Sequence, residues 1–231
     1  MAESVHPEVA SPISPCERLD TEPAIFLDRD GTLVHPRHYP TQPDDMVMFE
    51  GLGPILSELQ QAGFRLVLIT NQSGIARGLL NESQLERIHE RIRELLELHA
   101  VSLDGVYYCP HHVDGVIPSL SKACSCRKPS PGMLLRAIDE LGLDPQRSWM
   151  IGDILDDVEA GNRAGCRTVL VDLGTEDCPD RRIRTPTYVA TDPVHALNIV
   201  RSIELERWDT DRCYRPERWK YCSGQEVLLV G

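Results

Sequence analysis

Short apolar runs separated by amphipathic stretches constrain this chain more than any other feature. Ala24, Ile25, Phe26 and Leu27 form the first run, and similar runs fall at residues 65–70, 105–108, 148–151, 168–171 and 188–190. Runs this short and this apolar suit strands buried on both faces of a parallel sheet. The stretches between them carry helical spacing. Leu52, Ile55, Leu56 and Leu59 repeat at helical intervals and stop at Gly63. Leu85, Ile88, Ile92, Leu95 and Leu96 make one stripe after Asn81, with Gln84 placed to complete a capping box. A third pattern, Met133, Leu134, Ala137, Ile138 and Leu141, follows Ser130 as an N-cap and Pro131 at the first helical position. Further helices are expected at residues 155–164 and near 193–205. Strands alternating with helices predict an α/β fold whose central, mostly parallel sheet is covered on both faces.

The ends of the chain do not follow this pattern. Residues 1–22 are rich in Pro, Ser, Glu and Val without periodicity, which predicts a mobile leader. One domain is expected over residues 23–205. Residues 206–231 place Trp208, Tyr214, Trp219 and Tyr221 among charges and read as an extension without an assigned role. The start lacks a basic-then-apolar signal pattern, and no apolar stretch reaches the length of about 18 residues that spans a bilayer. The expected setting is therefore cytoplasmic, with no membrane partner, and the expected state is a monomer. The formal net charge of -12 repels phosphate backbones, so nucleic acid is not expected as a partner. A small phosphate ester is compatible with that charge, because a bound cation and a few bases set the field inside a pocket.

Ligands of open parallel sheets bind outside the carboxyl ends of the strands. The residues expected there are Asp28, Asp30, Gly31 and Thr32 after the first strand, and Thr70, Asn71, Gln72 and Ser73 after the second. Arg127 and Lys128 precede the third helix, and Gly152, Asp153, Asp156 and Asp157 follow the fourth strand. Carboxylate ligands favour a hard cation, and Mg2+ takes few of them. Asp28 and Asp30 are expected to point the same way on an extended segment, because side chains alternate with period two. One can then attack phosphorus while the other handles the leaving group's proton. Asp153 can anchor the metal, and Lys128 and the Thr70 hydroxyl can bind the non-bridging oxygens. Any one motif alone has a plainer reading: Asp and Gly are turn residues, Arg127 and Lys128 could be a solvated pair, and Asp156 could simply start a helix.

Three of the eight cysteines lie between positions 109 and 126. Cys109, Cys124 and Cys126, with His111 or His112, supply the four ligands that close a tetrahedral structural zinc site. Such a site would order residues 109–126, a loop with little core of its own, and hold Arg127 and Lys128 just beyond it. Cys16, Cys166, Cys178, Cys213 and Cys222 show no ligand spacing and are read as buried or surface thiols.

Asp28-x-Asp30-Gly31-Thr32, Thr70-Asn71, Lys128 and Gly152-Asp153-x-x-x-Asp157 together resemble the four motifs of the haloacid dehalogenase superfamily of phosphatases, over residues 24–174. The resemblance implies a Rossmann-like α/β/α domain and an aspartyl-phosphate on Asp28. Asp30 would protonate the leaving alcohol and then activate water. It also implies Mg2+ on the Asp28 carboxylate, the Asp30 main-chain oxygen and Asp153. Cys109-Pro110-His111-His112 followed by Cys124-x-Cys126-Arg127-Lys128-Pro129 is similar to a narrower group, the D-glycero-D-manno-heptose 1,7-bisphosphate 7-phosphatases and the histidinol-phosphate phosphatases. That group has no large cap domain, and the likeness favours His111 as the fourth zinc ligand. It implies a sugar phosphate substrate contacted by Asn71, Gln72, Ser73 and Arg127. Residues 70–78, from Thr70-Asn71-Gln72-Ser73 onward, resemble the heptose enzymes rather than the histidinol enzymes. Val34, Pro36 and Ile154 stand where the heptose enzymes usually carry Asn, an acidic residue and Lys, and Arg37 or His38 could compensate.

Overall fold

The computed structural model describes residues 21–205. The strands are β1 (Ala24–Leu27), β2 (Arg65–Asn71), β3 (Gly105–Cys109), β4 (Trp149–Gly152), β5 (Arg167–Val171) and β6 (Tyr188–Ala190). The helices are α1 (Leu52–Gln61), α2 (Glu82–Glu97), α3 (Gly132–Leu141), α4 (Leu155–Ala164) and α5 (Pro193–Leu205). All six strands form one parallel sheet in the order β3-β2-β1-β4-β5-β6. The chain runs outward from β1 through β2 to β3, then returns to place β4 on the other side of β1. That reversal opens a crevice at the carboxyl ends of β1 and β4, the place where such sheets bind ligands.

Strand alternation assigns the core to two faces. Ile25, Leu27, Leu66 and Leu68 pack with Leu56 of α1, Ile88 of α2 and Val200 of α5. Ala24, Phe26, Val67 and Ile69 pack with Leu134 of α3 and Ala160 of α4. Both faces are therefore dry, as all-apolar strands require. No helix among the described residues is long and apolar enough to cross a membrane.

Most expected boundaries hold within a residue. Asn81 and Gln84 exchange the two hydrogen bonds of a capping box at the start of α2 (2.9 and 2.8 Å). The start of α3 differs. Ser130 does not cap it; Pro131 occupies the cap position and Gly132 opens the helix. The Gly132 amide donates to the Ser125 carbonyl at 3.0 Å. A Cβ on Gly132 would stand 2.3 Å from that oxygen, so only glycine lets the helix start lie against the cysteine loop. The leader expectation is corrected at its last residue: Glu22 bridges to Leu143 and is ion-paired with Arg65 at 2.7 Å. Residues 1–20 and 206–231 lie outside the described residues. Cys178 is disulfide-bonded where a thiol was expected; a disulfide needs no ligand-like spacing, so nothing local announced it.

Candidate active site

The floor of the crevice is built where β1 stops. The Asp28 amide still donates to Ile151 of β4 at 2.9 Å, but the chain then turns, with Leu33 and Val34 both donating to the Arg29 carbonyl. Gly31 makes the turn at φ +82°, and a Cβ there would meet Asp153 Oδ2 at 2.2 Å. The expected extended segment through Asp30 is therefore absent, and strand alternation does not set the direction of Asp30. Its carboxylate is gripped by its neighbour: Arg29 Nε donates to Oδ2 at 2.9 Å, and Nη2 is ion-paired with the same oxygen at 2.8 Å. Burial raises the pKa of Asp30 against the opposing pull of Arg29.

The carboxylates that converge are Asp28, Asp153 and Asp157, with oxygens within 4.8 Å of one another. Two of these are expected metal ligands. Asp157 joins them, and the Asp30 carboxylate stays outside, which leaves Asp30 only its main-chain oxygen for a metal. Lys128 lies between Asp28 and Asp157 with 2% of its surface exposed. Its ammonium donates to Asp28 Oδ1 and to the Ile69 carbonyl at 2.9 Å, and it is ion-paired with Asp157 Oδ1 at 2.6 Å. Burial opposes its charge, but Asp157 and Asp28 outweigh burial and hold it above the ordinary lysine range. Burial, reinforced by Asp28 and Asp157, pushes Asp153 up to about 8. Burial pushes Asp157 up to about 7, with Lys128 opposing. One ammonium among three carboxylates leaves a deficit of positive charge, and all-oxygen donors suit a hard divalent cation.

The end of β2 holds Lys128 from the other side. Asn71 Oδ1 accepts from the Lys128 amide at 3.1 Å, and Asn71 Nδ2 donates to the Lys128 carbonyl at 3.2 Å. Gln72 Nε2 donates to Thr70 Oγ1 at 2.8 Å, which leaves the Thr70 proton free to donate to an anion. Asn71 and Gln72 thus spend their amides on the scaffold, although both also line the cleft. That cleft, about 230 Å³, is bounded by Asp30 and Ser73 and roofed by Arg37, His38 and Tyr39. Both candidate compensating residues, Arg37 and His38, therefore face it. Val34 does not: it is 1% exposed and bridges to Asp30 and Met48, so its side chain is core. Arg127 is not among the residues that line this cleft; its Nη1 donates to the His111 carbonyl at 3.3 Å. Asp156 is outside the site, paired with Arg184 at 3.0 Å.

In the cysteine loop, the Cys109 thiol lies 3.5 Å from Cys124 and 3.2 Å from Cys126, and His111 Nδ1 lies 3.4 Å from Cys126. The sulfurs are free thiols. His111 completes the group of four; His112 turns instead to Arg77, whose Nη2 lies 3.3 Å from each ring nitrogen. Burial, with Lys122 nearby, lowers the His111 pKa, which keeps its ring neutral and able to bind a metal. Four soft donors facing one point fit a tetrahedral zinc. Sequence reasoning missed Arg29, Tyr39 and Arg77. Only Arg29 carried a signal, as a charge between two aspartates directly after an apolar strand.

These features have counterparts in known proteins. The HAD-hydrolase-like family matches residues 125–196. A D-glycero-beta-D-manno-heptose-1,7-bisphosphate 7-phosphatase of Photorhabdus laumondii is 42% identical over 178 residues, covering 77% of this chain and 89% of that one. The chain belongs to the haloacid dehalogenase-like hydrolases. Within that family it is a phosphatase. The Escherichia coli K12 protein of the same name is 45% identical over 159 residues, 68% of this chain and 83% of its own. Among solved structures, the D,D-heptose 1,7-bisphosphate phosphatase of B. bronchiseptica, complexed with magnesium and phosphate, has a TM-score of 0.65 and 30% identity. It covers 77% of this chain and 97% of its own.

Proposed function

We propose that this phosphatase removes the 7-phosphate of D-glycero-D-manno-heptose 1,7-bisphosphate through a covalent intermediate on Asp28. The observation that carries the chemistry is the buried Lys128 ammonium shared by Asp28 and Asp157 beside Asp153. The substrate follows from the relatives, which carry that name at 42% identity over most of this chain.

In the first half-reaction an Asp28 carboxylate oxygen bonds to phosphorus as the bond from phosphorus to the sugar oxygen breaks, and Asp30 gives that oxygen its proton. In the second, water bonds to phosphorus, Asp30 takes the water's proton, and the bond to Asp28 breaks to release phosphate. Lys128 and the Thr70 hydroxyl stabilise the non-bridging oxygens as charge gathers on them. Asp28, Asp153 and the Asp30 main-chain oxygen would hold Mg2+, which would supply the positive charge that lets a carboxylate approach a phosphate. Asn71 acts by holding Lys128, Gln72 by orienting Thr70, and Ser73 encloses substrate. Arg127 and Arg77, neither paired with a carboxylate among the described residues, suit the second phosphate. Cys109, His111, Cys124 and Cys126 would hold a structural zinc. We take the acting form to be a monomer in the cytoplasm.

Two measurements test this. Asp28→Asn is expected to abolish turnover with the fold retained, and an unchanged rate removes the nucleophile. Steady-state rates on heptose bisphosphate and histidinol phosphate then decide the substrate: a kcat/KM about tenfold or more in favour of histidinol phosphate overturns the heptose reading.

A further inference from the structure

Helix α4 starts just after Asp153, and it starts without a cap of its own. Ile154 holds the cap position and makes no side-chain cap bond. Helices favour Ser, Thr, Asp or Asn there, because their first amides have no partner within the helix. Asp157 reaches back to the Ile154 amide, but only at 3.4 Å, with Oδ2. Its other oxygen is engaged by Lys128 at 2.6 Å. The start of α4 is thus short of acceptors at the point where the metal-site carboxylates converge.

The missing acceptor comes from the loop after β5. That strand ends at Val171, and the chain turns as the Gly174 amide donates to Asp172 Oδ1 at 3.0 Å. Two residues further, Glu176 Oε2 accepts from the Leu155 amide at 3.1 Å, across 21 residues of chain. A charged cap at this place adds to the negative charge gathered around Asp153. A neutral Ser or Asn at the cap position would serve the helix without that cost, so helix stability alone gives a poor account of Glu176.

The position of Asp153 gives a better one. On one side it lies against Gly31, where a Cβ would stand 2.2 Å from Asp153 Oδ2. On the other, residues 153–154 form a bend that belongs neither to β4 nor to α4. We infer that Glu176 is a positioning residue: by holding the Leu155 amide it fixes this bend, and with it the direction in which Asp153 presents its carboxylate beside Asp28. The inference rests on the reading of Asp153 as a magnesium ligand. Without Glu176 the bend samples other conformations, and Asp153 meets a cation in the right geometry only part of the time.

The test titrates Mg2+ into full-length protein dialysed free of magnesium, by calorimetry, and follows p-nitrophenyl phosphate hydrolysis against Mg2+ alongside. Glu176→Ala is expected to weaken Mg2+ binding by about 10-fold, the lower end of what groups that orient metal ligands contribute. The Mg2+ needed for half-maximal rate should rise in step, while kcat at saturating Mg2+ stays within about twofold of wild type. Glu176→Gln keeps an acceptor oxygen and should bind Mg2+ within about twofold of wild type. Asn81→Ala removes the cap of α2 instead, loosening a helix elsewhere, and should leave Mg2+ affinity unchanged. Wild-type Mg2+ affinity in Glu176→Ala overturns the inference, whatever its Tm. Equal weakening by Glu176→Gln also overturns it, since the charge and not the hydrogen bond would then be the cause, as does equal weakening by Asn81→Ala, which would make general loosening the cause. Asp153→Asn that binds Mg2+ as tightly as wild type would instead sink the reading beneath it.

Discussion

Lys128 is held at both of its ends. Asn71 grips its main chain, and Asp28 and Asp157 share its ammonium. Removing that charge leaves two buried carboxylates facing each other, and breaking a buried ion pair from one side costs about 3–5 kcal/mol. For a domain of this size about 1 kcal/mol moves Tm by roughly 2–4 °C. Lys128→Met in EDTA is therefore expected to melt roughly 6–20 °C below wild type, measured by thermal unfolding. Adding Mg2+ should return part of that loss, because a cation can take over the missing charge. A Tm unchanged in EDTA would show that the pair is not buried as described.

The element that sets Lys128 in place is the segment joining the cysteine loop to α3. Gly132 returns to Ser125, so residues 125–132 close on themselves with Lys128 inside. Cys124 and Cys126 fix one end of that closure, and Cys109 extends from the end of β3 to meet them. A structural zinc adds folding free energy where a loop lacks core of its own. Elemental analysis is expected to give about one zinc per chain, and Cys124→Ser should lose both the zinc and several degrees of Tm. A metal-free protein with wild-type Tm would remove the site. This element was legible in part. Cysteine spacing announced a metal site, but His111 and His112 are adjacent and only folding showed that His112 turns to Arg77. The start of α3 was misread for a related reason: Ser130 is a good cap in isolation, and the tertiary contact to Ser125 displaced it.

At the scale of the whole molecule, stability should depend on pH through His89. The ring is buried in α2, and burial, with Arg29 and Arg93 nearby, lowers its pKa from 6.5 to about 3. Below its ordinary pKa the unfolded chain takes up a proton that the folded chain refuses. Stability is therefore complete above about pH 6.5 and declines as pH falls toward about 3, by up to roughly 1.4 kcal/mol per unit. Unfolding curves at about pH 7 and pH 5 should show a larger loss for wild type than for His89→Leu, which has no proton to take up. Equal losses would place the acid sensitivity elsewhere.

Apolar runs, helical stripes and four motifs were enough to place Asp28, Thr70, Lys128 and Asp153 on one rim, because parallel strands with helices between them must end on the same side. Element type is a local property of hydrophobic period, and so it can be read from one chain. Side-chain direction beyond the last strand residue is not local. Gly31 turns the chain against Asp153, which sends Asp30 to Arg29 and leaves Asp157 to join Asp28 and Asp153. The same turn buries Val34. The sequence by itself determined the sheet, the rim and the chemistry available there. Only the tertiary structure decided which carboxylate faces which cation, since that choice depends on close contacts between segments far apart in the chain.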